Sequence, residues 1–273
     1  MSTGVSYDWV SLTTDYGTYD GFVAACHGVI ARTAPSARVI DVTHEVPPGD
    51  IHRGAVVLAQ TVPYLPRAVH VGVVDPGVGT ARRGIAIACA DGILVGPDNG
   101  LLGWAAEALG GADAVYELAD AAYHGRPVSP TFHGRDIFTP VAAHIAVGTP
   151  PADLGPQLAA DGLVRLPEPP HEATSGLIRC SALTSDRFGN VTTSATAGDV
   201  VSAGFAAGDD VVVVTGSTEH RGSHQRSFAD AGPGELVSFV DSYDHLALAV
   251  NGGNAASLLR VRDADVLELR AGG

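Results

Sequence analysis

Apolar residues recur with two different periods in the part of the chain before residue 150. The runs "WVSLTT" (9–14), "ARVIDVT" (37–43) and "AVHVGVV" (68–74) are typical of buried strands. Between them, segments 21–35 and 50–66 carry apolar residues at helical spacing and end at or near a proline. This alternation predicts a mostly parallel sheet that helices cover on both faces.

Further elements complete this first region. The runs "GIAIACA" and "ILVG" flank Asp91 and Gly92, which predicts a β-hairpin. Segments 99–110 and 136–148 have the apolar spacing of helices. Asp50 stands directly before the helix of 50–66, at the position of an N-cap.

The pattern changes near residue 150. Segment 149–176 contains six prolines and little periodicity, which is typical of a linker or a surface crossing. Beyond it, short β-rich runs alternate with turns, which favours a small barrel or sandwich. We therefore predict an α/β protein with an N-terminal α/β domain (1–165), a linker at about 149–172 and a smaller C-terminal β-barrel domain (172–273).

Composition narrows the class of protein. A formal net charge of -14 argues against nucleic-acid binding, because phosphate recognition needs clustered Lys and Arg. The start "MSTGVSYDWVSL" lacks the pattern of a signal peptide, and no apolar run has the length of a membrane span. Three widely spaced cysteines without a CxxC pair predict buried thiols in a reducing compartment. We therefore expect a cytoplasmic protein that binds neither membrane nor nucleic acid.

Polar residues follow the first three predicted strands. Asp15 comes after the first, Thr43 and His44 after the second, and Asp75 after the third. In an open α/β sheet ligands bind outside the carboxyl ends of the strands, so these side chains should converge. Asp15 and Asp20 could together bind a metal, sugar hydroxyls or an ammonium group; alternatively, Asp20 caps the helix that follows.

The histidine and the acidic residues of one stretch also raise the hypothesis of a metal site. The stretch "DVTHEVPPGDI" offers His44, Glu45 and Asp50. The HxH, HxxxH and DxH spacings of metallohydrolases are missing, and no GxGxxG or Walker lysine is present. We therefore predict no metal site.

Two further stretches bring charged groups to turns. "VVDPGVGTARRG" (73–84) carries Asp75 and Arg82 in one Pro-Gly turn, where a salt bridge that only pins the turn is the structural alternative. "TFHGRDIF" opens a helix with His133 and Asp136. Asp136 is favourable near the helix N-terminus, whereas His133 has no such structural explanation.

Two stretches of the β-rich part have turn composition. "DRFGNVTTS" (186–194) and "NGGNAAS" (251–257) are typical of tight turns. The alternative is that their backbone amides and an Asn side chain contact a flat heteroaromatic ring. Spacing does not decide between the two.

Seven stretches in order resemble one family, the S-adenosyl-L-methionine (SAM) hydroxide adenosyltransferases, which are related to fluorinating and chlorinating enzymes. They are "TTDYGTYDG", "DVTHEVPPGDI", "VVDPGVGTARR", "LVGPDNGLL", "TFHGRDIF", "DRFGNVTTS" and "NGGNAA", and they span almost the whole chain. The resemblance implies an enzyme that cleaves SAM with water at C5′, by inverting displacement, to adenosine and L-methionine. It also implies no metal or organic cofactor, and a homotrimer whose active sites lie between one subunit's N-terminal domain and its neighbour's C-terminal domain.

The resemblance assigns roles residue by residue. Asp75, Arg82 and His133 match the residues that hold the attacking water. The matching substrate-binding residues are Asp15 for the ribose hydroxyls, Asp20 and Asp186 for the ammonium, Asn190, Asn251 and Ala255 for adenine, and Ser242 for the methionine carboxylate. Tyr243 stands where the fluorinating enzyme has an arginine, and Thr192 where it has a tryptophan, so that stacking on adenine is either weaker or supplied by Phe188.

Departures from the halogenating relatives favour water as the nucleophile. Those relatives have a tyrosine in place of Asp75, and the fluorinating enzyme has a serine in place of Gly134 and an insertion near residues 91–92. Two alternatives remain: a SAM-dependent halogenase, and a non-catalytic sensor of SAM or adenosine.

Overall fold

A computed structural model describes residues 5–272, and the chain divides into two compact units. The first unit is Met1–Leu166 and the second is Pro167–Gly273. Part of the segment 149–172 belongs to the first unit, because the short strand Gln157–Leu158 pairs with the strand Ala114–Glu117 there. Within the described residues, we find no helix with the length and apolar character needed to cross a bilayer.

The first unit is built on a seven-stranded sheet. Its strands are β1 (Trp9–Thr14), β2 (Arg38–Thr43), β3 (Ala68–Val73), β4 (Gly84–Cys89), β5 (Gly92–Pro97), β6 (Ala114–Glu117) and β7 (Gln157–Leu158). The strand order is β2-β1-β3-β5-β4-β6-β7. The first four strands in this order are mutually parallel, and the other three join antiparallel. The mostly parallel sheet predicted from the sequence is confirmed, and so is the β4–β5 hairpin.

Helices cover both faces of this sheet. They are α1 (Phe22–Thr33), α2 (Ile51–Thr61), α3 (Gly103–Ala108) and α4 (Thr139–Ala146). Helices α1 and α4 contribute Ile30 and Ile145 to one buried cluster with Leu12 of β1. Helices α2 and α3 pack on the other face, where Leu58 and Ala105 share a second cluster. Each face of the sheet therefore has its own core.

Two predicted helices differ from the observed ones. The helix predicted over 99–110 begins only at Gly103, because Gly100 has a φ of 96° and the Asn99 side chain accepts a hydrogen bond from the Leu101 amide. The helix predicted over 136–148 is observed as α4 (Thr139–Ala146), but its first residues form a π-helical turn, Gly134–Phe138, that leads into α4. The N-cap predicted at Asp50 is confirmed, since its carboxylate accepts from the Arg53 amide at 2.9 Å.

The second unit is a closed seven-stranded β-barrel with one additional strand, which confirms the barrel predicted for this region. Its elements are β8 (His171–Thr174), β9 (Leu177–Ser185), β10 (Val191–Thr196), α5 (Ala197–Ala203), β11 (Asp210–Thr215), β12 (Thr218–His224), β13 (Leu236–Val240), β14 (His245–Val250), α6 (Ala255–Leu259) and β15 (Val266–Ala271). Pairing of β10 with both β14 and β9 closes the barrel. The extra strand β8 pairs with β9.

His70 of β3 makes the first unit sensitive to pH. Its side chain is fully buried, with Nδ1 2.8 Å from Ser11 Oγ, and burial lowers the pKa of His70 to about 4 from 6.5. Between pH 6.5 and 4 the unfolded chain therefore binds a proton that the folded chain does not. We expect the His70 contribution to reduce the free energy of unfolding by up to about 3 kcal/mol as the pH falls through this window.

Urea unfolding of the wild type and of His70→Gln at several pH values measures this contribution. The variant should show a shallower loss of stability between pH 6.5 and 4. Other histidines with lowered pKa values, His124, His133, His144 and His224, act in the same direction but are common to both proteins. Parallel pH profiles for the two proteins would refute the role of His70.

Candidate active site

The loops that follow β1, β2 and β3 adjoin at the carboxyl edge of the sheet. Asp15 Oδ2 accepts a hydrogen bond from the Gly49 amide at 2.8 Å, and the Gly17 amide donates to the His44 carbonyl at 2.7 Å. A Cβ built on Gly49 would lie 3.8 Å from Cβ of Pro76, which directly follows Asp75. The predicted convergence of these three loops is therefore observed.

Asp75 and Arg82 form a forked ion pair in the turn after β3. Arg82 Nε lies 3.0 Å from both Asp75 oxygens, and its Nη2 lies 2.5 Å from Oδ2. Both side chains are largely buried, with 5% of Asp75 and 12% of Arg82 exposed. The guanidinium fork matches the carboxylate geometry, so the pair is both charged and fixed in direction.

The same guanidinium also reaches His133. Arg82 Nη2 lies 2.7 Å from His133 Nδ1. Because arginine only donates, Nδ1 must accept, and a neutral ring then carries its proton on Nε2. Burial and the charge of Arg82 lower the pKa of His133, outweighing the opposite effect of Asp75 and Asp136. The three residues singled out from the sequence are thus joined through one side chain.

The turn after β3 lies close to the backbone of the segment that precedes His133. Gly79 has a φ of 78°, and a Cβ there would clash with the carbonyl oxygen of Pro130, three residues before His133. The turn itself is closed by a 3.1 Å hydrogen bond from the Val78 amide to the Asp75 carbonyl. Only glycine at position 79 combines this conformation with this contact.

Tyr16 is a residue of the site that was not predicted from the sequence. Its ring packs edge-on against Phe132, and a Cβ built on Gly134 would clash with its hydroxyl and lie 2.9 Å from its Cζ. Burial raises the pKa of Tyr16, and the charges of Asp15 and Asp75 add to the effect. The phenol therefore stays neutral and occupies the space that a side chain at position 134 would need.

The acidic residues Asp20 and Asp136 differ in what they contact. Asp20 is exposed and does not cap α1, whose N-cap is Gly21 without a side-chain hydrogen bond, so the capping interpretation is wrong. Asp136 accepts from Arg135 Nε at 2.7 Å and from the Ser129 amide at 2.8 Å. Asp136 thereby fixes the segment on either side of His133.

In the second unit, Asp186 organises the turn between β9 and β10. Its Oδ1 accepts from the amides of Phe188 and Asn190 at 2.8 and 2.9 Å, and its Oδ2 accepts from Asn190 Nδ2 at 2.9 Å. The turn leaves 62% of Phe188 exposed. Two side chains expected to contact different parts of one ligand therefore bind each other in this structure.

The same turn is tied to the start of α6. The Ala256 amide donates to the Gly189 carbonyl at 2.9 Å, which places the turn beside the buried Ala255. Asn251 is held in place by two donations: its side-chain amide to the Ala231 carbonyl at 2.7 Å and its backbone amide to the Glu235 carbonyl at 3.1 Å.

Asp241 shapes the loop that carries Ser242 and Tyr243. Its Oδ1 accepts from the amides of Tyr243 and His245 at 2.9 and 3.1 Å, and its Oδ2 accepts from Thr192 Oγ1 at 3.1 Å. Ser242 and Tyr243 are exposed at the loop tip. Asp241 was not predicted from the sequence, although an Asp at the start of a turn often bonds the backbone amide two residues later.

These features define a class of protein: an α/β unit with a carboxylate, a guanidinium and an imidazole at the carboxyl edge of its sheet, followed by a β-barrel. Models of the SAM hydroxide adenosyltransferase N-terminal and C-terminal domains match residues 10–155 and 180–268. The chain therefore belongs to the SAM hydroxide adenosyltransferase family.

Individual proteins that are similar to this chain are consistent with this family assignment. The (R)-S-adenosyl-L-methionine hydrolase of Salinispora arenicola (strain CNS-205) is 56% identical and covers 98% of this chain and 99% of its own. A solved structure of an uncharacterized conserved protein from Thermotoga maritima has a TM-score of 0.90 at 33% identity, covering 96% of this chain and 99% of its own. A fluorinase of Actinoplanes sp. (strain N902-109) is more distant, at 28% identity over 90% of this chain and 92% of its own.

The contact between Tyr16 and Gly134 makes a prediction about stability. Gly134→Ala should destabilise the protein by about 1–3 kcal/mol, because the added methyl overpacks the phenol. The loss should be smaller in a Tyr16→Phe background, where the clashing hydroxyl is gone, and the two changes should be non-additive. Urea unfolding of the four proteins measures both effects. An equal loss in the two backgrounds would show that the contact is not the cause.

Proposed function

We propose that this protein hydrolyses SAM, in the (R) form named for its relatives, to adenosine and L-methionine. The observation that carries the proposal is the connected set of Asp75, Arg82 and His133 at the carboxyl edge of the sheet. The hydrolases of two Salinispora species, at 54 and 56% identity, support it.

The reaction needs little beyond an oriented nucleophile. The water oxygen bonds to C5′ as the C5′–S bond breaks, and the electron pair goes to sulfur, so that the sulfonium leaves as a neutral thioether. One water proton must be removed as the new bond forms, which is a task for a general base. Placing the water in line behind C5′ supplies much of the remaining acceleration.

Asp75 is the proposed proton acceptor. His133 Nδ1 accepts from Arg82, so the neutral ring presents N–H at Nε2 and orients the water by donating rather than by taking a proton. The Asp75 carboxylate has lone pairs for about four hydrogen bonds, and Arg82 supplies three contacts to it. The remaining position on Asp75 is available to the water.

The substrate-binding roles are proposals from the family resemblance. We propose that Asp15 accepts from the ribose hydroxyls and that Asp20 and Asp186 face the ammonium group. Asn190, Asn251 and Ala255 would bind adenine, and Ser242 and Tyr243 the methionine carboxylate.

We also propose that the hydrolysis uses no metal ion and no organic cofactor. Methionine leaves as a neutral group, so no Lewis acid is required to stabilise it. The charged pair and the imidazole already supply a base and a donor for the water.

The same family resemblance supports a proposal for how copies of this chain assemble. We propose a homotrimer in which the N-terminal domain of one subunit and the C-terminal domain of its neighbour complete each site. Light scattering of purified protein should then give three times the chain mass of 27.8 kDa. A fully active protein with the mass of one chain would contradict the shared site.

Isotope transfer tests the reaction. We expect purified protein incubated with SAM in water enriched in oxygen-18 to give adenosine labelled at O5′, together with unlabelled methionine. Mass spectrometry measures both products. A 5′-halo-5′-deoxyadenosine formed in the presence of chloride or fluoride would instead indicate a halogenase. Calorimetric binding of SAM without turnover would indicate a sensor.

A matched pair of arginine variants serves as the control for this assay. Arg82→Lys keeps the positive charge but loses the fork that joins Asp75 to His133, so kcat should fall about 100-fold or more with KM little changed. Neighbouring Arg83 forms a similar ion pair with Asp98, at 2.5 Å, and is not assigned to the site. Arg83→Lys should keep its kcat; equal losses in the two variants would argue against the proposed roles.

A further inference from the structure

A second group of titratable side chains lies apart from the Asp75–Arg82–His133 set. It consists of His27 on α1, Asp41 on β2 and His44 just after β2. His27 Nε2 lies 2.8 Å from Asp41 Oδ1, and His44 Nε2 lies 3.0 Å from the same oxygen. The possible ligand atoms of the three residues all lie within 4.8 Å of one another.

His44 is the most informative member of this cluster. Its side chain is only 5% exposed, and its Nδ1 is engaged with Thr14 Oγ1 at 2.8 Å. The other ring nitrogen, Nε2, is buried and lies within ion-pair distance of Asp41 but outside hydrogen-bond geometry. A buried polar atom without a good hydrogen bond is costly, so its orientation toward the cluster needs an explanation.

The chemical identity of the three possible ligand groups explains the orientation of His44 Nε2. Two imidazole nitrogens and one carboxylate oxygen are ligands that zinc prefers, at about 2.0–2.2 Å from the ion, and three protein ligands leave one position open for water. The engaged Nδ1 of His44 fixes the ring, as an outer hydrogen bond does for most metal-binding histidines. His27 and Asp41 have 38% and 40% of their side chains exposed, which gives an ion a path from solvent.

We propose that His27, Asp41 and His44 form a binding site for a divalent transition metal ion, with zinc as the best match. Ligand separations of 2.8 and 3.0 Å are slightly short for a shared ion, so a small rotation of the exposed His27 and Asp41 would accompany binding. Magnesium and calcium do not fit, because both require oxygen ligands.

An ion at this site would hold the loop that carries Asp15 in place and would not take part in the reaction. His44 contacts Thr14, whose hydroxyl accepts from the Tyr16 amide at 3.2 Å, and the His44 carbonyl accepts from the Gly17 amide at 2.7 Å. An ion that fixed His44 would thereby restrain the loop that carries Asp15. It would also join α1 to β2, so the folded state should be stabilised by mass action.

Direct metal binding tests the site without any reference to SAM. Protein freed of metal with a chelator is titrated with zinc by calorimetry, and cobalt(II) is bound separately to follow its visible absorption. We expect one ion per chain, a cobalt spectrum with nitrogen and oxygen ligands, and a rise in Tm on zinc addition. His27→Ala and Asp41→Asn should each weaken zinc binding at least tenfold, about the smallest loss seen even for outer-shell changes.

His171→Ala is the matched control. His171 Nδ1 lies 2.9 Å from Asp199 Oδ2 in the second unit, so it is a comparable histidine–carboxylate pair. This variant should bind zinc as the wild type does. Circular dichroism of each variant without metal shows whether it is folded, and Asp41→Asn, which keeps the size of a partly exposed side chain, is the substitution that disturbs packing least.

The outcomes separate this proposal from an ordinary ion-pair cluster. Equal zinc affinity in the wild type and a folded His27→Ala variant would overturn it, as would the absence of binding to the wild type. Loss of binding in His171→Ala alone would place the ion elsewhere and also overturn it. Because none of these readouts uses turnover, they stand whether or not the protein hydrolyses SAM.

Discussion

A single guanidinium joins the carboxylate and the imidazole at the carboxyl edge of the sheet. The Arg82 side chain can only donate hydrogen bonds, and it donates them to the Asp75 carboxylate and to Nδ1 of His133. Asp75 is thereby held as a paired acceptor, and His133 is held as a ring that donates from its far nitrogen. In the proposed hydrolysis these two neighbours would have opposite roles toward the attacking water, and both roles would follow from their shared partner Arg82.

The scaffold serves this contact by allowing backbones to approach closely. Gly79 brings the turn after β3 against the carbonyl of Pro130, and Gly134 leaves room for the phenol of Tyr16. The parallel strands β1, β2 and β3 bring their loops to one edge, so residues far apart in sequence meet there. Apolar clusters on both faces of the sheet support the strands that lead to that edge.

Much of this arrangement can be predicted from the sequence, because strand and helix periods are local properties. Strand β1 and the cap at Asp50 are such cases. The late start of α3 depends on the positive φ of Gly100, which apolar spacing does not report. Contacts between elements are harder still: nothing in the spacing of His27 and Asp41 shows that α1 packs beside that part of β2. The pairing of Asp186 with Asn190 was missed for a related reason, since a turn can satisfy its own polar groups.

Asp75 and Arg82 belong to one short turn, whereas the rest of the site is collected from distant segments. The two charged residues of the proposed water site are therefore local to one segment, and His133 joins them from a distant one. In the proposed reaction, exchange of residues 75–82 would change two of the groups that face the nucleophile, while the sheet and the barrel stay as they are. A diversity of nucleophiles on one unchanged architecture is what such a division of labour would produce.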